Sequence, residues 1–184
     1  VRKGDKVVSF AYDGEGNRIR KAGGAVTSYL YERLGGLPQV LAEFDAGGKL
    51  KSRHVLTPAR IAQTDSAGRA IYLLEDHLGS TRSVVDEAGR VIARYDYSPF
   101  GVPRLVEGTP QTNYLFAGEQ WDEETGLIYL RARYYDPSTG RFFSPDPMPG
   151  TLLDPQSFNQ YVYAGNDPVN RVDPRGLFSG LPPP

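Results

Sequence analysis

The chain has no cysteine, one methionine, one tryptophan and two histidines among its 184 residues. The missing cysteine excludes a disulfide framework, thiolate metal sites and a cysteine nucleophile, and leaves the compartment undecided. Hydrophobic residues make up 39% of the chain. An excess of either charge sign is also lacking: 21 basic side chains stand against 22 acidic ones. Without a cluster of Lys and Arg there is no electrostatic footprint for a phosphate backbone or an anionic lipid surface, so neither nucleic acid nor a membrane is an expected partner. No apolar run approaches the ~20 residues that span a bilayer. The start, Val1-Arg2-Lys3-Gly4-Asp5, turns polar where a signal peptide would turn apolar, so no export signal is expected in this chain.

Glycine and proline are abundant, at 21 and 15 residues, which favours turns over long helices. One unit recurs: Asp, two residues, Gly, then a polar or basic residue. It stands at Asp13-Gly16-Asn17, Asp45-Gly48-Lys49, Asp65-Gly68-Arg69 and Asp86-Gly89-Arg90. The carboxylate can accept the backbone amide two residues on, and the glycine supplies the positive φ that closes a hairpin, so each unit predicts a hairpin tip. Alternating runs such as Val91-Ile92-Ala93-Arg94-Tyr95 predict strands between the tips. Tyr and Phe gather at strand ends, a placement that buries the ring and leaves a Tyr hydroxyl at a wet edge. An all-β meander is expected, with helix only in short pieces from Ser157 to Ala164. Nine of the fifteen prolines lie from Pro145 onward. The last 44 residues should therefore be loops and turns laid over the sheet.

These residues resemble the bacterial RHS or YD-repeat proteins, which have teneurins as eukaryotic relatives. Tyr12-Asp13-Gly14-Glu15-Gly16-Asn17-Arg18 is similar to a YD repeat. Tyr72 to Arg82, with Tyr95-Asp96-Tyr97-Ser98-Pro99-Phe100-Gly101, resembles the opening of the RHS repeat-associated core. Leu130 to Pro147 and Asp173-Pro174-Arg175-Gly176-Leu177 match that core's signature and its terminal DPxGL box. The division that follows is YD-repeat hairpins over 1–70, the core over 71–177 and a short tail over 178–184. The resemblance implies a β-ribbon spiralling into a hollow shell, closed by an irregular C-terminal plug, with partners in the rest of the shell and in an enclosed C-terminal toxin. It implies secretion or surface display as part of a larger protein. It also implies self-cleavage after the DPxGL leucine, between Leu177 and Phe178, by an aspartate pair matching Asp146 and Asp173, with Arg141 as the supporting arginine.

Peptide hydrolysis without metal, cofactor or cysteine can be run by two carboxylates that share a proton, one activating water and the other protonating the carbonyl oxygen. The bland reading is that Asp-Pro is turn chemistry, since Asp136, Asp146, Asp154, Asp167 and Asp173 all precede proline. Asp167 stands where the family usually has asparagine, so it could compete for the pair's proton. His54 and His77, 23 residues apart on different predicted strands, read as structural or surface residues and not as metal ligands. Two non-catalytic alternatives stay open: a structural or adhesion module, and a carbohydrate-binding surface using Tyr or Trp121. A ribbon cut at Val1 would expose a strand edge, so self-association of the isolated chain is expected.

Overall fold

The computed structural model describes residues 1–3, 6–32, 36–57, 59–152 and 155–177. β1 (Arg2–Lys3) and β2 (Lys6–Val7) form a small ribbon. Ten strands then pair in chain order as one antiparallel sheet: β3 (Ser9–Tyr12), β4 (Arg18–Ala22), β5 (Val26–Glu32), β6 (Gln39–Phe44), β7 (Leu50–Thr57), β8 (Ala59–Asp65), β9 (Ala70–Glu75), β10 (Thr81–Asp86), β11 (Val91–Tyr97) and β12 (Pro103–Gly108). A second meander follows, of β13 (Gln120–Asp122), β14 (Leu127–Leu130), β15 (Arg133–Asp136) and β16 (Arg141–Phe142). The all-β expectation holds. The large sheet crosses residue 70 without a break, β8 and β9 pairing on either side of it.

The predicted tips are hairpin turns. In each, Asp Oδ1 accepts the amides two and four residues on, as at Asp86 from Ala88 and Arg90, both at 2.9 Å. The glycine N–H then donates to the aspartate carbonyl, 2.9 Å for Gly89, with φ at +75°. A fifth copy at Asp76 uses Leu78, Gly79 and Ser80 in the same way. One carboxylate oxygen thus fixes two amides that would otherwise be unsatisfied at the tip, and glycine removes the cost of the left-handed backbone.

The register places Leu73, Val84 and Ala93 directly opposite one another on three neighbouring strands, and all three are buried. Between the two sheets the segment Tyr114-Leu115-Phe116 joins three apolar clusters. Tyr114 packs with Tyr29 and Val40, Leu115 with Leu73, Val84, Ala93 and Tyr95, and Phe116 with Ile128, Leu130, Tyr135, Phe142 and Tyr163. Thr81 fastens this segment, its N–H donating to the Leu115 carbonyl at 3.1 Å and its hydroxyl to the Tyr114 carbonyl at 2.8 Å. Burying three consecutive side chains in three directions interrupts the strands there, and the link is a bridge from Tyr114 to Gln120 closed over a short 3₁₀ turn at Phe116–Gly118.

The helix expected from Ser157 to Ala164 does not form. Instead, 3₁₀ turns occupy Pro155–Phe158 and Ala164–Asn166, and Gly165 adopts φ +62°. Tyr163 faces Tyr135 with ring centroids 4.2 Å apart, and burial of that ring holds an irregular backbone in place against modest helix propensity.

Candidate active site

β14 and β15 are joined by a tight turn in which Leu130 pairs with Arg133 and Arg131 takes φ +57°. Along β15 the side chains alternate, Arg133 and Tyr135 being buried and Tyr134 and Asp136 less so. This parity sends the Arg133 guanidinium inward, where it lies 3.6 Å from the centroid of the Phe142 ring. Its Nη1 donates to the Gln160 carbonyl at 2.8 Å and its Nε to the Gly176 carbonyl. The third nitrogen, Nη2, faces two carboxylates: Asp146 Oδ2 at 2.7 Å and Asp173 Oδ2 at 3.7 Å. Asp146 is 5% exposed, Asp173 1% and Arg133 3%.

Each aspartate uses its other oxygen for a local turn. Asp146 Oδ1 accepts the Met148 amide at 2.8 Å, and Asp173 Oδ1 accepts the Leu177 amide at 3.1 Å. The turn reading of Asp-Pro and the pair reading therefore both apply to these two residues, one to each oxygen. The other described Asp-Pro residues do turn work: Asp136 Oδ1 accepts from Ser138, and Asp167 Oδ1 from Asn170. Asp154 and Phe178 lie outside the described residues.

The DPxGL box is clamped to the β14–β15 turn. Arg131 Nη1 donates to the Pro174 carbonyl while pairing with Glu119 at 2.8 Å, and the Ala132 amide donates to Arg175 at 3.3 Å. Gly176 takes φ +62°, and a Cβ there would stand 2.2 Å from the Leu130 carbonyl oxygen. Only glycine lets the chain pass that carbonyl and bring Leu177 to Asp173. Asp173 and Pro174 also line a cavity of about 870 Å³, walled in addition by Tyr31, Leu78, Tyr114 and Arg131.

Two carboxylates on one guanidinium nitrogen repel each other, and the cation between them offsets that repulsion. Burial holds the Arg133 guanidinium below its ordinary pKa overall, with Asp146 and Asp173 acting in the opposite direction. Tyr163, beside Asp173, has its phenol raised far above the usual value, by burial first and by Glu119 and Asp173 after it, so it stays a neutral wall.

The structure brings Asp146, Asp173 and Leu177 together, but Arg141 stands elsewhere. Arg141 is exposed at the start of β16, its backbone paired with Asp136 and bridged to Val162. The guanidinium found between the carboxylates is that of Arg133. Both arginines sit in the same signature string. The signal that separates them is parity with Tyr135, the side chain that alternation sends inward.

The sequence model of the teneurin YD-shell matches residues 1–169. The chain belongs to that family. Among relatives of this YD-shell chain, the tRNA3(Ser)-specific nuclease WapA of Bacillus spizizenii is 38% identical over 174 residues, which is 91% of the chain and 7% of WapA. Toxin protein Tse5 of Pseudomonas aeruginosa is 38% identical over 130 residues, 67% of the chain and 9% of Tse5. The YD-shell chain thus spans less than a tenth of the length of these two relatives. Its fold is that of the crystal structure of TcdB2-TccC3-Cdc42, with TM-score 0.67 and 24% identity over 92% of this chain and 9% of that one. It is RHS/YD-shell scaffold related to that of toxins.

Proposed function

We propose that this chain is the closing part of a toxin-enclosing RHS shell, and that Asp146 and Asp173 hydrolyse the Leu177–Phe178 bond of the same chain. The observation that carries the reading is the shared site: two buried carboxylates on the Arg133 guanidinium, with the Leu177 amide hydrogen-bonded to one of them. One carboxylate takes a proton from water as its oxygen adds to the Leu177 carbonyl carbon, and the other gives its proton to the carbonyl oxygen. The tetrahedral centre then collapses, the C–N bond breaks and the departing nitrogen of Phe178 takes a proton from the site. Solvent water is the only reactant from outside the chain, and the turnover is single because the substrate is the protein itself.

The enclosed partner is a C-terminal toxin and the remaining shell is supplied by a longer protein, secreted or displayed at the cell surface. Relatives named as a nuclease and as a toxin support this, as does the likeness in fold to TcdB2-TccC3-Cdc42. Trp121 packs against two of the apolar clusters, an arrangement that supports a wall role over sugar stacking. The chemistry is tested by folding the chain in water enriched in ¹⁸O. Hydrolysis by solvent water puts one heavy oxygen into the new Leu177 carboxylate; a cleaved product without it would overturn direct hydrolysis.

A further inference from the structure

The cavity of about 870 Å³ carries, on another part of its wall, two charged side chains that cleavage does not use, Arg60 and Glu75. Alternation along β8 sends Arg60 and Ala62 inward and leaves Ile61 outside. Arg60 is 6% exposed; its guanidinium lies over the Tyr114 ring, 3.5 Å from the centroid, and its Nη1 donates to the Val40 carbonyl at 3.0 Å. Its Nε is buried and donates to nothing among the described residues. Glu75, half-buried, ends the neighbouring strand β9. Among the described residues neither side chain forms an ion pair, with the other or with a third. A cation and a carboxylate withdrawn from water without partners cost free energy that a ligand of matching charges recovers.

We propose that this cavity binds a free α-amino acid with a large apolar side chain, Arg60 taking the carboxylate, Glu75 the ammonium group, and Tyr31, Val40 and Leu78 the side chain.

The charges decide the class of ligand. The other carboxylates on the wall are engaged: Asp76 Oδ1 accepts the Leu78 and Ser80 amides, both at 3.0 Å, Glu119 pairs with Arg131 at 2.8 Å, and Asp173 Oδ1 accepts the Leu177 amide. The two charges left over are of opposite sign, so a simple anion would gain Arg60 and meet repulsion from Glu75, and a simple cation the reverse. A zwitterion satisfies both. Burial pushes Glu75 up to about 7, with Arg60 acting against that shift and Asp76 with it, so an ammonium group meets a carboxylate that lacks a cation of its own. Arg60 is held in one orientation by the Val40 carbonyl and the Tyr114 ring, so little ordering is left to oppose binding. The volume lies within the ~300–1,000 Å³ of small-molecule sites, and an apolar wall with a few placed polar groups is their usual make-up.

The test is titration calorimetry of the full chain at about pH 8, where Glu75 is ionised, with three probes: L-phenylalanine, phenylpropanoate, which keeps the ring and the carboxylate, and phenylethylamine, which keeps the ring and the ammonium group. L-phenylalanine should bind at least about tenfold more tightly than either fragment, the scale of one hydrogen bond to a charged group. Arg60→Gln should weaken L-phenylalanine and phenylpropanoate by about tenfold and leave phenylethylamine no weaker; Glu75→Gln should weaken L-phenylalanine and phenylethylamine by a similar factor and leave phenylpropanoate no weaker. Thermal melting verifies folding, and if the buried Arg60 cannot be replaced, the three probes on wild type and on Glu75→Gln still decide. No binding of L-phenylalanine, equal affinity for all three probes, or a folded Glu75→Gln chain that binds phenylethylamine as wild type does would overturn the proposal. None of these readouts depends on whether the chain cuts itself.

Discussion

The second sheet is fastened to the first by a buried charge cluster, and removing its centre should cost more than any surface change. Arg18, on β4, is fully buried, as is its partner Asp122 on β13. The guanidinium also reaches Gln120 and the Tyr134 hydroxyl, and is ringed by Phe10, Tyr29, Tyr129 and Tyr134 at 4.4 to 5.8 Å from the ring centroids. Burial alone would lower its pKa, but Asp122 with Tyr29 and Tyr134 raises it overall, so it stays charged. Lys21 touches the same carboxylate at 3.1 Å. Replacing Arg18 by Met leaves Asp122 with a single, weaker cation and removes the rings' charged partner. The expected loss is about 3–5 kcal/mol, as for other broken buried pairs. For a domain of this size that is a melting shift of roughly 6–20 °C. Asp122→Asn should cost a similar amount. The double variant Arg18→Met with Asp122→Leu should cost clearly less than the two added together, because neither charge is left stranded. Urea melts of the four proteins measure this. A single variant within about 1 kcal/mol of wild type, or strict additivity, would show that the clasp does not hold the sheets together.

Three shorter predictions rest on other sites. Gly89→Ala should destabilise by about 1–2 kcal/mol because φ is +75° there, while Gly47→Ala, where a Cβ meets only Asp45 Oδ1 at 3.4 Å, should cost less; equal melting shifts would mean the turn is wrongly assigned. Gly176→Ala should block cleavage while leaving the sheets folded, since the added Cβ strikes the Leu130 carbonyl; normal cleavage in that variant would show that box docking is not required. His54 is buried beside Glu43 at 3.6 Å, and burial lowers its pKa below the ordinary 6.5, with Glu43 acting against and Arg60 with that shift. The unfolded chain therefore takes up the proton first, and His54 makes stability fall as pH drops through about 6.5. Glu75, raised by burial to about 7, works in the opposite direction over the same range, so the readout is the difference between wild type and His54→Gln. That difference should narrow between pH 7 and pH 5, and a constant difference would refute the linkage.

What could be read from the sequence was local chemistry. The Asp and Gly of each tip carry their own geometry, so four turns follow from four short strings, and strict antiparallel order follows from short connections. The aspartates of the site were readable for a different reason, as motif matches, although their neighbours were not. Arg133 and Arg141 are eight residues apart in one string, and the choice between them depends on which face of a four-residue strand meets Phe142 and Gln160. The fastening of Tyr114, Leu115 and Phe116 to three clusters depends on partners from Tyr29 to Tyr163, on both sides of the segment, which no local pattern records. The stretch from Ser157 to Ala164 misled because the Tyr163–Tyr135 stack outweighs helix propensity, and its partner is set by the tertiary fold.

The central claim is tested most directly by intact mass of the folded, purified chain after incubation at mildly acidic pH. The account predicts a wild-type product ending at Leu177, full-length protein for Asp146→Asn and for Asp173→Asn, and wild-type behaviour for Asp136→Asn, whose carboxylate serves only its own turn. Wild type remaining at 184 residues, or Asp146→Asn losing residues 178–184 as fast as wild type, would contradict it.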